Sequence, residues 1–147
     1  MSTPTAGVFE GREHRLPVRV YYEDTDFTGI VYHGSYVRFF ERGRSDFLRL
    51  VGVGHADLLD CDDPTAFAIT RLDIRYLAAA RIDDALEVRT LYQAIKGPRL
   101  IISQSIWRGA TRLTTAEVEA VCIRMDGRPR RPTPALVEKV TPWLGPA

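Results

Sequence analysis

The sequence predicts an α+β fold, an antiparallel sheet of about five strands wrapped around one long helix. Three observations carry this. Residues 35–51 form a long stretch of helical period; the stretches after it alternate with a period of two; and the links between the last three of those are too short for parallel crossovers. An apolar helix face and an apolar sheet face must cover each other, and one sheet curled around one helix does so with the fewest elements.

Size and charge narrow the class. A chain of 147 residues is one domain, 1–147, with room for a real core. Its formal net charge is +1, so neither nucleic acid nor an anionic membrane is drawn to the molecule as a whole. Cys61 and Cys122 stand far apart in unrelated contexts, which is neither a disulfide framework nor metal spacing and fits a reducing compartment. The N-terminal residues lack a basic start followed by an apolar core, and no apolar run approaches the ~20 residues of a membrane span. A cytoplasmic protein without membrane insertion is expected.

The elements follow in order. Residues 1–14 are small, polar and patternless, and are expected to form a loose leader. In LPVRVYYED, Val18, Val20 and Tyr22 alternate with Arg19, Tyr21 and Glu23, a half-buried strand that Thr28-Gly29 interrupts. From Ser35 the period changes. Tyr36, Phe39, Phe40, Phe47, Leu50 and Val51 share one helical face with Gly43, while Arg38, Glu41, Arg42, Ser45, Asp46 and Arg49 fill the other. Ser35 reads as the N-cap, Gly52 and Gly54 as the stop, and HADLLD as a further turn. After Asp63-Pro64, Ala68, Thr70, Leu72, Ile74 and Tyr76 alternate with Phe67, Ile69, Arg71, Asp73 and Arg75. ALEVRTLYQAI, LIISQSIW and LTTAEVEAVCIRM then make a meander, turning at KGPR and RGATR. A proline-broken basic exit, DGRPRRPTP, leads to ALVEKVTPW, one or two helical turns. A single sheet leaves edges to protect, for which dimerisation is the usual remedy.

The chemistry is concentrated in DTDFTGIVYHG. Asp24 and Asp26 are two apart, and periodicity does not choose between them; either also serves as a turn residue that bonds nearby amides. Beyond them His33 and Gly34 stand where the helix begins. The first N–H groups of a helix have no internal partner and carry the positive end of its dipole. A carbonyl oxygen held there is polarised, and a nearby carboxylate attacks its carbon or activates a water. Gly29 lets the turn bring strand end and helix start together. An acid plus helix-start amides is thus an acyl-transfer site. His33 reads equally as a cap or packed polar group, the aromatic stripe as core, and Arg128, Arg130 and Arg131 as a solvated tail whose functional reading is a phosphate clamp. His14, His33 and His55 have no metal-ligand spacing, and a G-x-S-x-G elbow does not occur.

The pattern D-x-D-x-x-G-I-V-Y-H-x-x-Y, followed by F-x-E-R-x-R, resembles the hotdog-fold acyl-CoA thioesterases, closest to the Tol-Pal-associated branch related to 4-hydroxybenzoyl-CoA thioesterase. The likeness continues through RLDIRYLAAARIDDALEVRT and AEVEAVCIRMDGRPRRPTPAL, about Leu16 to Val137. It implies a sheet around the long helix, pairing into homodimers with a continuous sheet and often homotetramers, and two active sites at each dimer interface. The family's essential acid lies three residues before the glycine of G-[IV]-V, which is Asp26. Its carbonyl-polarising amide falls at His33, with Gly34 as neighbour, and Tyr32 and His33 line the thioester. Ala79 stands where the family often has proline. His33 stands where the aroyl-CoA branch tends to have tyrosine, which shifts the expected substrate toward aliphatic acyl chains. The implied activity is cleavage of acyl-CoA to free acid and CoA thiol, with acyl-CoA or an acyl carrier protein as the partner, no bound cofactor beyond the substrate's own CoA, and no metal. The competing reading is a non-catalytic acyl-CoA or acyl-carrier-protein binding module; a third, an interaction protein of the envelope division machinery, rests on family association alone.

Overall fold

The computed structural model describes residues 2–146. Among them one sheet has six strands: β1 (Val8–Glu10), β2 (Glu13–Arg19), β3 (Ala66–Tyr76), β4 (Ala85–Lys96), β5 (Arg99–Arg108) and β6 (Thr111–Ile123). Their spatial order is β1-β2-β4-β5-β6-β3, and every neighbouring pair is antiparallel. The sheet wraps α1 (Ser35–Leu50), which packs on β2 and β4. Two short helices, α2 (His55–Leu59) and α3 (Pro134–Val140), complete the chain. This is the α+β architecture the alternation and the helical period predict. Among the described residues no helix is long and apolar enough to cross a membrane.

The sixth strand comes from the supposed leader. Residues 1–14 were expected to lie loose, yet Val8–Glu10 pairs with β2, which begins at Glu13. The Phe9 ring meets His14 and Phe47 edge-on and lies 4.1 Å from that of Trp143. His14 is fully buried, with Nε2 2.7 Å from Asp46 Oδ2, and the Gly7 N–H donates to the same oxygen at 2.7 Å. Arg49 pairs with the other carboxylate oxygen. Asp46 therefore belongs to the buried side of α1, not to the polar face where its residue type puts it. Conversely Leu50, expected in the core stripe, is 42% exposed. The first strand also ends early, at Arg19; Tyr22 enters a 3-10 turn, Tyr22–Asp24, and faces solvent.

The core stripe of α1 is otherwise as the period predicts, with Tyr36, Phe39, Phe40 and Phe47 buried. Gly43 lies where helix and sheet come closest: a Cβ there would sit 2.7 Å from Thr90 Oγ1 and 2.8 Å from Val88 Cγ1. Both belong to β4, whose place is set by its pairing with β2 and β5. Gly43→Ala therefore trades a helix-propensity gain of about 1 kcal/mol against overpacking that typically costs about 1–3 kcal/mol. A net loss of stability is expected, read as a lower urea midpoint with an unchanged m value.

β3 forms one edge of the sheet and holds a register shift between Ile69 and Arg71 in its pairing with β6. Simple alternation puts Phe67 and Ile69 opposite Leu72, Ile74 and Tyr76. The extra residue, Thr70, changes the phase. Ile69 pairs with Ala120, Leu72 with Val118 and Ile74 with Ala116, all buried partners on β6, so both apolar sets point at the helix side.

Candidate active site

Residues 20–35 form one stitched segment. Val20 N–H donates to Asp84 O and Val31 N–H to Ala80 O, tying both limbs to the loop between β3 and β4. Thr25 and Val31 pair across a small hairpin whose tip is Asp26-Phe27-Thr28-Gly29, closed by Gly29 N–H to Asp26 O at 3.2 Å. Gly29 has φ +81°, a conformation a side chain strains. Aspartate leads and glycine closes the turn, as a four-residue turn of this kind prefers. Phe27 at the tip is 99% exposed.

The two acids separate by environment. Asp24 is buried; its Oδ2 accepts the Tyr21 N–H at 2.9 Å, and its Oδ1 lies 3.7 Å from Arg38 Nη2. Its backbone carbonyl accepts both the Tyr32 N–H and the Ser35 hydroxyl, at 2.9 Å each, and so binds the hairpin to the helix start. Ser35 is thus the first helical residue and not the N-cap; Gly34 takes that place without a side-chain cap. Asp26 is partly exposed and accepts from Thr28 twice, through hydroxyl and amide. First the Thr28 hydroxyl and then its amide hold the Asp26 carboxyl below its ordinary value.

Tyr32, His33 and Gly34 come together at the mouth of α1. The Tyr32 and His33 rings are 4.3 Å apart, and a Cβ on Gly34 would meet the Tyr32 ring at 2.7 Å. Among the described residues the His33 and Gly34 amides find no backbone acceptor. Tyr76 donates its hydroxyl to His33 O at 2.9 Å. Because a peptide unit is planar, that bond also sets the direction of the Gly34 N–H. Burial, then Tyr36, raises the Tyr76 phenol, which keeps it a donor. Val31, His33, Tyr36, Tyr76 and Leu77 line an open pocket of about 320 Å³ beside these amides.

Asp26 joins this group through the hairpin and not through a side-chain contact. Arg128, Arg130 and Arg131 are not brought to it within one chain. They follow the Ile123 end of β6, which pairs with Ala66, whereas Tyr76 at the other end of β3 touches His33. The strand between spans roughly 30 Å. Arg130 is engaged with Asp63 at 2.6 Å, and Arg128 faces Asp126. Sequence reasoning missed Thr28 and Tyr76. The Asp-x-Thr spacing of a side-chain-capped turn is a signal for the first; the second ends the apolar alternation of its strand.

The sheet and the long helix packed against it make the hotdog fold of thioesterases. Residues 20–144 match the Thioesterase-like superfamily, to which the chain belongs. Over 108 residues it is 41% identical to the acyl-CoA thioesterase YbgC of Haemophilus influenzae, covering 74% of this chain and 79% of that one. Over 110 residues it is 43% identical to the acyl-CoA thioester hydrolase YbgC of Escherichia coli O6:H1, covering 74% and 81%. The crystal structure of a probable thioesterase from Bartonella henselae superposes with a TM-score of 0.80 at 38% identity, over 82% of this chain and 99% of that one. The branch is that of the YbgC acyl-CoA thioesterases.

Proposed function

We propose that the chain hydrolyses the thioester of acyl-CoA to free acid and CoA thiol, with Asp26 as the reacting carboxylate and the His33 and Gly34 amides as donors to the oxyanion. The observation that carries this is a carboxylate held by Thr28 on the short hairpin that leads into the helix start, where among the described residues the His33 and Gly34 amides find no backbone acceptor. Each such donor is typically worth ~10²–10³ in rate. Two routes use the same atoms. Asp26 attacks the carbonyl carbon, the C–S bond breaks, the thiolate leaves and takes a proton, and water cleaves the resulting anhydride. Alternatively Asp26 takes a proton from the water that attacks. Tyr32 and the pocket beside His33 would receive the acyl group, and neither route draws on a bound cofactor or metal.

The reading extends to a homodimer or homotetramer. Among the described residues the outer edge of β3 has no partner strand, and its helix-side face leaves Ile69 and Tyr76 nearly half exposed. Two-fold antiparallel pairing of β3 with a second copy would lay the Ala66 end of one strand by the Tyr76 end of the other. Arg128, Arg130 and Arg131 of that copy would then approach the helix start, where a CoA phosphate is their natural partner.

The test is release of thiol from acetyl-, butanoyl-, octanoyl-, palmitoyl- and benzoyl-CoA, and from acyl groups on an acyl carrier protein. Saturable turnover of any of these supports hydrolysis, and the pattern reports chain length and carrier. Saturable binding with no thiol released would make the chain a non-catalytic binding module instead.

A further inference from the structure

We infer that Thr28 is a positioning residue for Asp26, selecting which carboxylate oxygen meets the thioester; this rests on the hydrolase reading above. Thr28 Oγ1–H and Thr28 N–H both donate to Asp26 Oδ1, at 2.5 and 2.8 Å. Among the described residues no donor meets hydrogen-bond geometry at Oδ2; the Ile30 amide, which also favours the charged carboxyl, makes no hydrogen bond of ordinary geometry to it. The carboxylate is therefore asymmetric: the lone pairs of Oδ1 are occupied, and Oδ2 is the oxygen free to form a bond to carbon or to take a proton from water. The backbone of Asp26 is fixed separately, by its own N–H to Ile30 O at 2.9 Å and by Gly29 N–H to its carbonyl. What remains mobile is the side chain, and Thr28 removes that freedom. A glycine or alanine at this position would keep the amide bond and lose the hydroxyl.

The same hydroxyl favours the charged carboxylate, since a donor stabilises the ionised acceptor. The charged groups on neighbouring elements are Asp24 before the turn, and Arg81 and Asp84 across the bridge from Ile30. None of them contributes to the lowering at Asp26, whose causes are Thr28 first and the Ile30 backbone after it. Thr28 thus joins two functions in one contact, orientation and ionisation, and a loss of the hydroxyl must be felt in both.

Thr28→Val keeps the branched shape and removes the hydroxyl; Thr28→Ser keeps the hydroxyl. Steady-state rates of both, of the wild type and of Asp26→Asn are followed over pH by loss of thioester ultraviolet absorbance, on whichever of the five acyl-CoAs above is turned over best. Thr28→Val is expected to lower kcat about tenfold with KM unchanged and to move the acid limb to higher pH, with Thr28→Ser restoring both. A Thr28→Val whose acid limb coincides with the wild type overturns the inference whether or not kcat has fallen, and so does a Thr28→Ser that behaves like valine. Thermal midpoints separate folding from chemistry, because Thr28 is exposed and its loss should leave them unchanged. An Asp26→Asn enzyme of near-normal rate removes the hydrolase reading itself; an inactive one beside a normal Thr28→Val removes only the role of Thr28.

Discussion

Asp26→Asn is expected to bind acyl-CoA and to turn it over ~10²–10⁴-fold more slowly than the wild type. The substitution is close to ideal for the question. Asparagine keeps an Oδ1 that can accept both Thr28 donors, so the turn survives, while the free oxygen becomes an amide nitrogen that neither attacks nor takes a proton. The side chain is partly exposed and holds no core contact, so the melting temperature should not move. Calorimetric titration with acyl-CoA and a single-turnover assay read binding and chemistry apart; near-normal kcat rejects the assignment. Asp24→Asn should be milder in rate, since this buried acid serves the Tyr21 amide and Arg38. Equal collapse at both positions, accompanied by a lowered melting temperature, would mean that the hairpin itself had broken. The pH profile follows from sign alone. Reaction needs the ionised carboxylate, and Thr28 lowers its pKa, so activity persists into the acid side of the ordinary carboxylate range and is lost as pH falls through the lowered value.

Asp46→Ala should be the most damaging single change to stability, at about 3 kcal/mol out of the 5–15 typical of a domain. Removing the carboxylate strands the His14 Nε2–H and the Gly7 N–H inside the protein, while Arg49, more than half exposed, simply returns to water. Urea denaturation measures the loss, and a change within error of zero would show that the pair is matched by water elsewhere. His14 supplies a companion test. Burial first, and then the Arg49 guanidinium, bring its pKa down to about 4, from 6.5 in the unfolded chain. Between those values the unfolded chain binds the proton and the folded one does not, so stability falls as pH drops from about 6.5 to about 4. His14→Gln, which does not titrate, should flatten that part of the profile; parallel profiles for the two proteins would refute the shift.

How far the fold could be read from residues depends on whether the cause is local. α1 was legible because six apolar positions repeat at three- and four-residue steps, and the meander because its turns are short and glycine-bearing. β1 was not, because Val8–Glu10 is held by Phe9 against Phe47 and Trp143 and by Gly7 on Asp46, contacts that reach across 39 residues in the last case. Asp46 looked solvent-facing for the same reason: a carboxylate is buried only when its partners arrive from elsewhere in the chain. Ser35 looked like a cap because serine often is one, but its hydroxyl was claimed by Asp24 O. At the candidate site, spacing left Asp24 and Asp26 level, and family resemblance chose Asp26. Thr28 and Tyr76 escaped because each works through a hydrogen bond that no period encodes.

The displaced residue at Thr70 also shapes what fits alongside the open border of the sheet. Stacking of identical ribbons into fibres, about 4.7–4.8 Å apart, requires an unbroken ladder of amides along a straight backbone. Here the border bends in mid-course, so a flat, repetitive neighbour loses its ladder after a few bonds. A mate that follows the bend loses nothing. One inserted residue thereby lets this border discriminate between assembly and aggregation. Deleting Thr70 would straighten it while keeping the inward-facing aliphatics in place, leaving a protein that folds as before and clumps more readily on concentration.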